Sequence, residues 1–155
     1  MIETSPNGNN RKLTVHRSAH LIGGNCIEIT WQGNRLILDA GSPLDEPETD
    51  ADVVPTSLDV SRSVDGVIVS HPHQDHYGLL QALPANWPVW CGKPTEALMR
   101  LTTALMGDRL PQQIHTFTSF QSFDIGPFKV TPFLTDHSAF DAHMILVQVA
   151  GRTIL

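Results

Sequence analysis

The order of apolar and polar positions along the chain predicts where its strands lie. Apolar or alternating segments predict five strands in the first 91 residues, at 13–16, 26–31, 35–38, 66–70 and 88–91. The turn signal Gln32-Gly33-Asn34 predicts that the second and third strands form a hairpin. The fourth segment is almost continuously apolar, which is typical of a strand that is covered on both faces.

A helical pattern follows the fifth strand. Pro94 opens a predicted helix that continues to about Met106 and places Leu98, Leu101 and Leu105 on one face. The remaining elements are a short helix at 79–83, a solvated loop with at most one short helix at 42–65, and β segments at 116–123, 128–134, 144–149 and 152–155. The last two segments read as a hairpin. Strands, then alternating strands and helices, then strands again predict a mixed α/β fold.

The length and charge of the chain narrow its class. The 155 residues predict one domain at 12–155, preceded by a mobile polar lead-in at 1–11. The chain has a formal net charge of −6 and so lacks the basic character common among nucleic-acid binders. A bound metal ion would nevertheless make its own site positive. No apolar run is long enough to cross a membrane and no signal core opens the chain, which predicts a cytoplasmic protein. We expect Cys26 and Cys91 to be buried thiols, with a disulfide between them as the alternative.

Three imidazoles and a carboxylate stand within six residues, directly after the fourth predicted strand. They form the motif His71-Pro72-His73-Gln74-Asp75-His76, which offers nitrogen and oxygen ligands that zinc accepts. Alternate residues of an extended turn share a side, so His71 and His73 can reach one metal ion while Asp75 and His76 face another. Ligand sites of α/β proteins commonly lie at this end of a strand. A polar loop with coincidental histidines is the alternative.

Asp39 at a strand end, followed by HPHQDH after an apolar strand, resembles the metallo-β-lactamase superfamily, whose signature is HxHxDH. The resemblance implies an αββα sandwich, of which this chain would form the N-terminal half. It also implies that Asp39 supports the site without binding metal, which fits the support that ligand histidines generally receive. An ordinary turn residue before Gly41 is the alternative for Asp39.

A narrower resemblance is to the ribonuclease J and cleavage-factor branch, whose members process RNA and carry an inserted β-CASP cap. The segments that carry this resemblance are residues 22–26, 36–41, 70–73 and 135–138. In that branch a His-Ser pair supplies the third histidine of the first metal site, which implies this role for His137, followed here by Ser138. A surface histidine beside Asp136 is the alternative.

The family's two-metal site needs two further ligands that this chain does not show. One is an aspartate that bridges both ions just past the strand predicted at 152–155, and the other is a late histidine after the cap. We therefore expect the chain to be the N-terminal part of a longer enzyme, with at most one well-coordinated metal ion and little activity alone. Asp141 lies four residues past His137, a spacing that does not suit the bridging role.

The mechanism that the resemblance implies uses two zinc ions, with manganese as an alternative, to clamp the attacking and leaving oxygens. Asp75 would bind the second ion and orient the attacking water, and Asp75 and His76 are the expected catalytic residues. RNA is the expected substrate and partner, cut by nuclease action whose endo- or exonuclease direction stays open. A thioester, lactone or phosphoester hydrolase of the same superfamily and a non-catalytic metal-binding fragment are the alternatives. No substrate-binding residue is identified, and self-association through an exposed sheet edge is expected.

Overall fold

The first six strands form one sheet in which the strand order follows the chain order. A computed structural model describes residues 11–17, 19–20, 22–44, 54–107 and 109–155. The strands of this sheet are β1 (Arg11–Arg17), β2 (Cys26–Trp31), β3 (Asn34–Leu38), β4 (Gly66–Ile68), β5 (Val89–Gly92) and β6 (Ile114–Phe117). Strands β1 to β3 pair antiparallel, and β3 to β6 pair parallel. The predicted β2–β3 hairpin and the apolar strand before the histidine motif are confirmed.

The remaining strands form a second, antiparallel sheet with the order β10-β9-β8-β7. They are β7 (Phe123–Ile125), β8 (Phe128–Leu134), β9 (His143–Val149) and β10 (Arg152–Ile154). The prediction of one continuous β segment at 116–123 is wrong, because its two ends belong to different sheets. Phe120 lies between them with φ +65°, a left-handed conformation that breaks an extended chain.

The helices are α1 (Gln74–Tyr77), a single 3-10 turn (Leu80–Ala82) and α2 (Lys93–Leu105). The apolar face predicted for α2 is not its packed face: Leu98, Leu101 and Leu105 are exposed, while Thr95, Met99 and Thr103 are buried. Threonines can occupy a buried face when their hydroxyls are hydrogen-bonded, because this removes the cost of desolvation. The buried threonine hydroxyls of α2 are both bonded, one of them to the Met99 carbonyl at 2.7 Å.

Two apolar clusters lie on opposite faces of the first sheet. Alternation along the strands sends Ile37 and Val67 to the outer face, where they pack under α2 and the loops, and sends Leu36 and Ile68 to the face between the sheets. The second sheet contributes Ile125, Phe128, Val130, Val147 and Val149 to the cluster between the sheets. The described chain therefore stacks a helical layer, a mixed sheet and an antiparallel sheet, which confirms the predicted mixed α/β class.

Several predictions fall at the margins of the described residues. Residues 1–10 of the predicted lead-in and residues 45–53 of the predicted 42–65 loop lie outside them, and Arg11, the last residue of the predicted lead-in, pairs with Trp31 in β1. Residues 54–65 form turns without a helix. Cys26 and Cys91 are free and buried, and burial raises the pKa of each thiol to about 12. Within the described ranges no helix has the length and apolar character needed to cross a membrane.

A buried ion pair fixes the outer face of β2 and β3. Glu28 and Arg35 are 7% and 2% exposed, and the Arg35 Nε–H donates to the Glu28 carboxylate. The other carboxylate oxygen accepts a hydrogen bond of 2.9 Å from His16 Nε2. Burial alone would raise the pKa of Glu28, but the bonds from His16 and Arg35 and the charge of Arg35 lower it to about 2.

We predict that Glu28→Gln destabilises the protein in a pH-dependent way. Because the folded-state pKa of Glu28 is about 2 and its ordinary value is 4.5, the ion pair stabilises the fold above pH 4.5 and loses this effect as the pH falls towards 2. At pH 7 the loss should be about 3 kcal/mol, since Arg35 keeps a buried charge without its partner. Urea unfolding of both proteins at pH 7 and pH 3 measures the difference.

The matched control is Glu96→Gln on α2, which removes a Glu–Arg pair at the surface. Glu96 accepts a bond of 2.9 Å from Arg100, whose side chain is 48% exposed. An exposed pair of this kind contributes about 0.5 kcal/mol or less. An equal loss for the two variants, or a Glu28→Gln effect that does not shrink at pH 3, would contradict the prediction.

Candidate metal centre

Asp39 follows directly after β3, and its hydrogen bonds join that end of the strand to the chain that leaves β4. Its backbone is left-handed, with φ +56°, and its amide donates to the Ile68 carbonyl at 2.8 Å. One carboxylate oxygen accepts a bond of 2.8 Å from the Ser70 amide. The other lies 3.0 Å from the Ser70 hydroxyl and 2.7 Å from Nδ1 of His76. A left-handed backbone is unfavourable for a residue other than glycine and persists only where surrounding contacts hold it. The hydrogen bonds of Asp39 provide these contacts.

Backbone contacts hold the histidine motif against the chain that follows Asp39. The Ala40 amide donates to the His76 carbonyl at 2.8 Å, and the Asn25 amide donates to the Asp75 carbonyl at 3.0 Å. Gly41 lies so close that a Cβ there would stand 1.6 Å from the Asp75 carbonyl oxygen. A side chain at position 41 is therefore excluded on steric grounds.

Three predicted ligands meet at one point. One ligand atom each from His71, His73 and His137 lies within 4.8 Å of the others. His71 and His73 come from the loop after β4, whereas His137 comes from the loop between β8 and β9 of the other sheet. His71 is buried, His73 is half-buried and His137 is exposed, so the cluster opens to solvent on one side.

The spacing of the cluster fits a tetrahedral metal ion. Nε2 of His71 and Nε2 of His137 are 3.2 Å apart. Two nitrogens bound to tetrahedral zinc at about 2.0–2.1 Å each lie about 3.3 Å from one another. Three histidines with a solvent-facing side match the donor set of catalytic zinc sites, which keep one position open.

The Ser70 hydroxyl sets the proton position on His71. This hydroxyl donates to Asp39, so it accepts from Nδ1–H of His71 at 3.0 Å, and the lone pair of Nε2 is left facing His137. Burial, reinforced by the neighbouring His76, lowers the pKa of His71 to about 4. The ring is therefore neutral at pH 7, the form that binds a metal ion.

Asp75 and His76 lie beside this cluster rather than within it. The His71 and His76 rings have centroids 3.8 Å apart, and the Asp75 carboxylate lies 3.4 Å from Nε2 of His76. Because Nδ1–H of His76 donates to Asp39, Nε2 is the nitrogen left to face Asp75. Burial alone would lower the pKa of His76, but the bond to Asp39 and the charges of Asp39 and Asp75 raise it. The pKa values of these two neighbouring histidines are thus shifted in opposite directions, as is common in active sites.

The structure gives contacts to two residues to which the sequence assigned no role. Ser70 bonds Asp39 and His71 at once, and the Asn25 side-chain amide lies 3.5 Å from Nε2 of His76. Both residues lie in the segments that resemble the ribonuclease J branch, at 22–26 and 70–73. Their position in these segments was the sequence signal that could have identified them.

We predict that Asp39→Asn weakens zinc binding by about tenfold to a hundredfold, because Asp39 orients the proposed ligand His71 through the Ser70 hydroxyl and such supporting contacts usually have this effect. An amide retains an acceptor for Ser70, but it turns a donor towards Nδ1–H of His76 and disturbs both rings. Competition against a chromogenic chelator measures the affinity. Asp124→Asn, an exposed aspartate of β7, is the control, and zinc affinity that is unchanged in Asp39→Asn would refute this role.

Comparison with known proteins places these features in a family. Residues 34–151 match the beta-lactamase superfamily domain. The chain is 36% identical over 90 residues to an RNase J-like protein of Methanocaldococcus jannaschii. The aligned region covers 58% of this chain and 20% of that protein. It is 26% identical over 96 residues to ribonuclease J of Sinorhizobium meliloti, covering 61% of this chain and 17% of the relative. The chain thus spans at most about a fifth of the length of these two relatives.

A solved structure shows the same fold at low sequence identity. The metallo-β-lactamase fold protein YhfI from Bacillus subtilis superposes with a TM-score of 0.68 at 17% identity, over 93% of this chain and 60% of that one. The domain match at 34–151 extends over well more than half of the 155 residues. The resemblance stated from Asp39 and the HPHQDH motif is therefore confirmed, and the chain belongs to the metallo-β-lactamase superfamily.

Proposed function

We propose that the protein is a metal-dependent hydrolase whose metal ion is held by His71, His73 and His137. The observation that carries this proposal is the meeting of these three imidazoles from two sheets, with 3.2 Å between Nε2 of His71 and Nε2 of His137. Zinc is the expected ion because three imidazole nitrogens suit it, and manganese is the alternative when carboxylates share the site.

The chemistry divides between the ion and the side chains around it. A divalent ion at the three histidines would supply Lewis acidity and lower the pKa of a water molecule. The Asp75 carboxylate can accept a hydrogen bond from that water and so orient it. His76, kept in place by Asp39, can hold a proton at Nε2 beside Asp75. The open side of the cluster, at the exposed His137, is where a substrate can approach.

The proposed substrate of the whole protein is RNA, cut at phosphodiester bonds. Support comes from the relatives named RNase J-like protein and ribonuclease J, which align with the part of the chain that carries the motif. The chain has a net charge of −6, so the metal centre itself would provide the positive charge that attracts a phosphate.

We predict that the protein, purified at its natural length, cleaves single-stranded RNA and bis-p-nitrophenyl phosphate faster than it cleaves an acyl thioester. Chelation with EDTA should abolish cleavage, and zinc or manganese should restore it. His73→Ala should lower the rate by about a hundredfold or more, since it removes a metal ligand itself rather than the support of one. Labelled RNA resolved on gels and absorbance assays measure the three reactions.

His115→Ala is the matched control, because His115 stacks on Trp90 outside the cluster. It should leave the cleavage rate within about twofold of wild type, because the substitution removes no proposed ligand and no proposed catalytic group. A preference for the thioester would contradict the RNA substrate but leave the metal centre standing. Cleavage that resists EDTA and survives His73→Ala would contradict the metal centre itself.

A further inference from the structure

The loop that carries His137 connects β8 to β9 and lies at the surface. Its ends are closed by a bond of 2.9 Å from the Thr135 amide to the Ala142 carbonyl. Just beyond, the His143 amide donates to the Ser70 carbonyl at 3.0 Å, which ties the base of the loop to the residue before His71. His137 itself is exposed, so little packing fixes its place relative to His71 and His73.

Asp141 reaches from this loop to the first turn of α2. Its Oδ2 accepts a bond of 3.0 Å from the Thr95 amide and one of 2.8 Å from the Thr95 hydroxyl. The residue before α2, Gly92, makes no side-chain cap, so Asp141 supplies the capping carboxylate from a distant part of the chain. A negative charge at a helix N-terminus is further favoured by the helix dipole.

Two features show that the chain is built around this contact. Asp141 adopts φ +63°, a left-handed conformation that aspartate tolerates better than most residues. A Cβ at Gly92 would stand 2.0 Å from Oδ2 of Asp141, so a side chain there would displace the carboxylate. Among the described residues of the 135–142 loop, two side chains make polar contacts: those of His137 and Asp141.

We propose that Asp141 is a positioning residue for the metal centre, which holds His137 against His71 and His73 by fastening its loop to α2. Helix α2 starts directly after β5 of the first sheet, so the contact bridges the two sheets that contribute ligands. Oδ2 is occupied by Thr95, and Oδ1 lies 3.8 Å from Nε2 of His143. Asp141 therefore acts through the loop and not as a ligand, and the inference rests on the metal site proposed above.

The test measures zinc affinity by chelator competition and the absorption spectrum of the cobalt-substituted protein. Asp141→Ala should weaken zinc binding by about tenfold or more, as the loss of supporting contacts usually does. Asp141→Asn keeps an acceptor for the Thr95 amide and should restore most of the affinity. In a His137→Ala background, Asp141→Ala should change the remaining affinity by no more than about twofold, because the ligand through which it acts is gone.

Thr103→Ala is the control for a loss of stability alone. It removes a buried hydroxyl bond within α2, lowers the unfolding temperature in EDTA, and should leave zinc affinity and the cobalt spectrum as in wild type. Equal losses from Asp141→Ala with and without His137, or no rescue by asparagine, would overturn the positioning role. Wild-type zinc binding that is insensitive to His137→Ala would instead overturn the proposed metal site, so the two failures are distinguishable.

Discussion

The carboxylate of Asp39 joins the ends of β3 and β4, and the geometry of the histidine cluster depends on it. It accepts the Ser70 amide, the Ser70 hydroxyl and Nδ1–H of His76, so each of its oxygens is used. The Ser70 hydroxyl then accepts from His71, which passes the same constraint to a second ring. One half-buried carboxylate thus fixes the proton positions of two imidazoles, and a misplaced group there would leave both rings free to turn.

The backbone does as much of this work as the side chains. Amides of Ala40 and Asn25 are bonded to carbonyls of the histidine motif, and the absence of a side chain at Gly41 lets the two segments touch. A loop that is held by main-chain hydrogen bonds keeps its shape whether or not its side chains bind a ligand. This is the rigidity that a site for metal binding requires, because ligand atoms must stay within a few tenths of an ångström of their positions.

The third histidine arrives from the other sheet, so the site exists only when the two sheets are packed together. The apolar cluster between them, which includes Leu36, Ile68 and Phe128, sets their separation. Burial of these side chains favours contact between the sheets but does not fix the direction of a surface loop, because apolar contact is non-directional. Directional bonds complete the placement: that from His143 to Ser70, and that from Thr95 to Asp141.

The sequence by itself determined the class of fold, most strand positions and the position of the histidine motif, since alternation, apolar runs and the spacing of HPHQDH are local properties. It pointed to His137 only through a family resemblance, because 61 residues and a change of sheet separate it from the residue that ends the motif, His76. Only the tertiary structure decided that residues 116–123 divide between the sheets, that α2 packs through threonines, and that Asp141 caps a helix. Each of these depends on a partner distant in sequence, and no local pattern records which partner a side chain will meet.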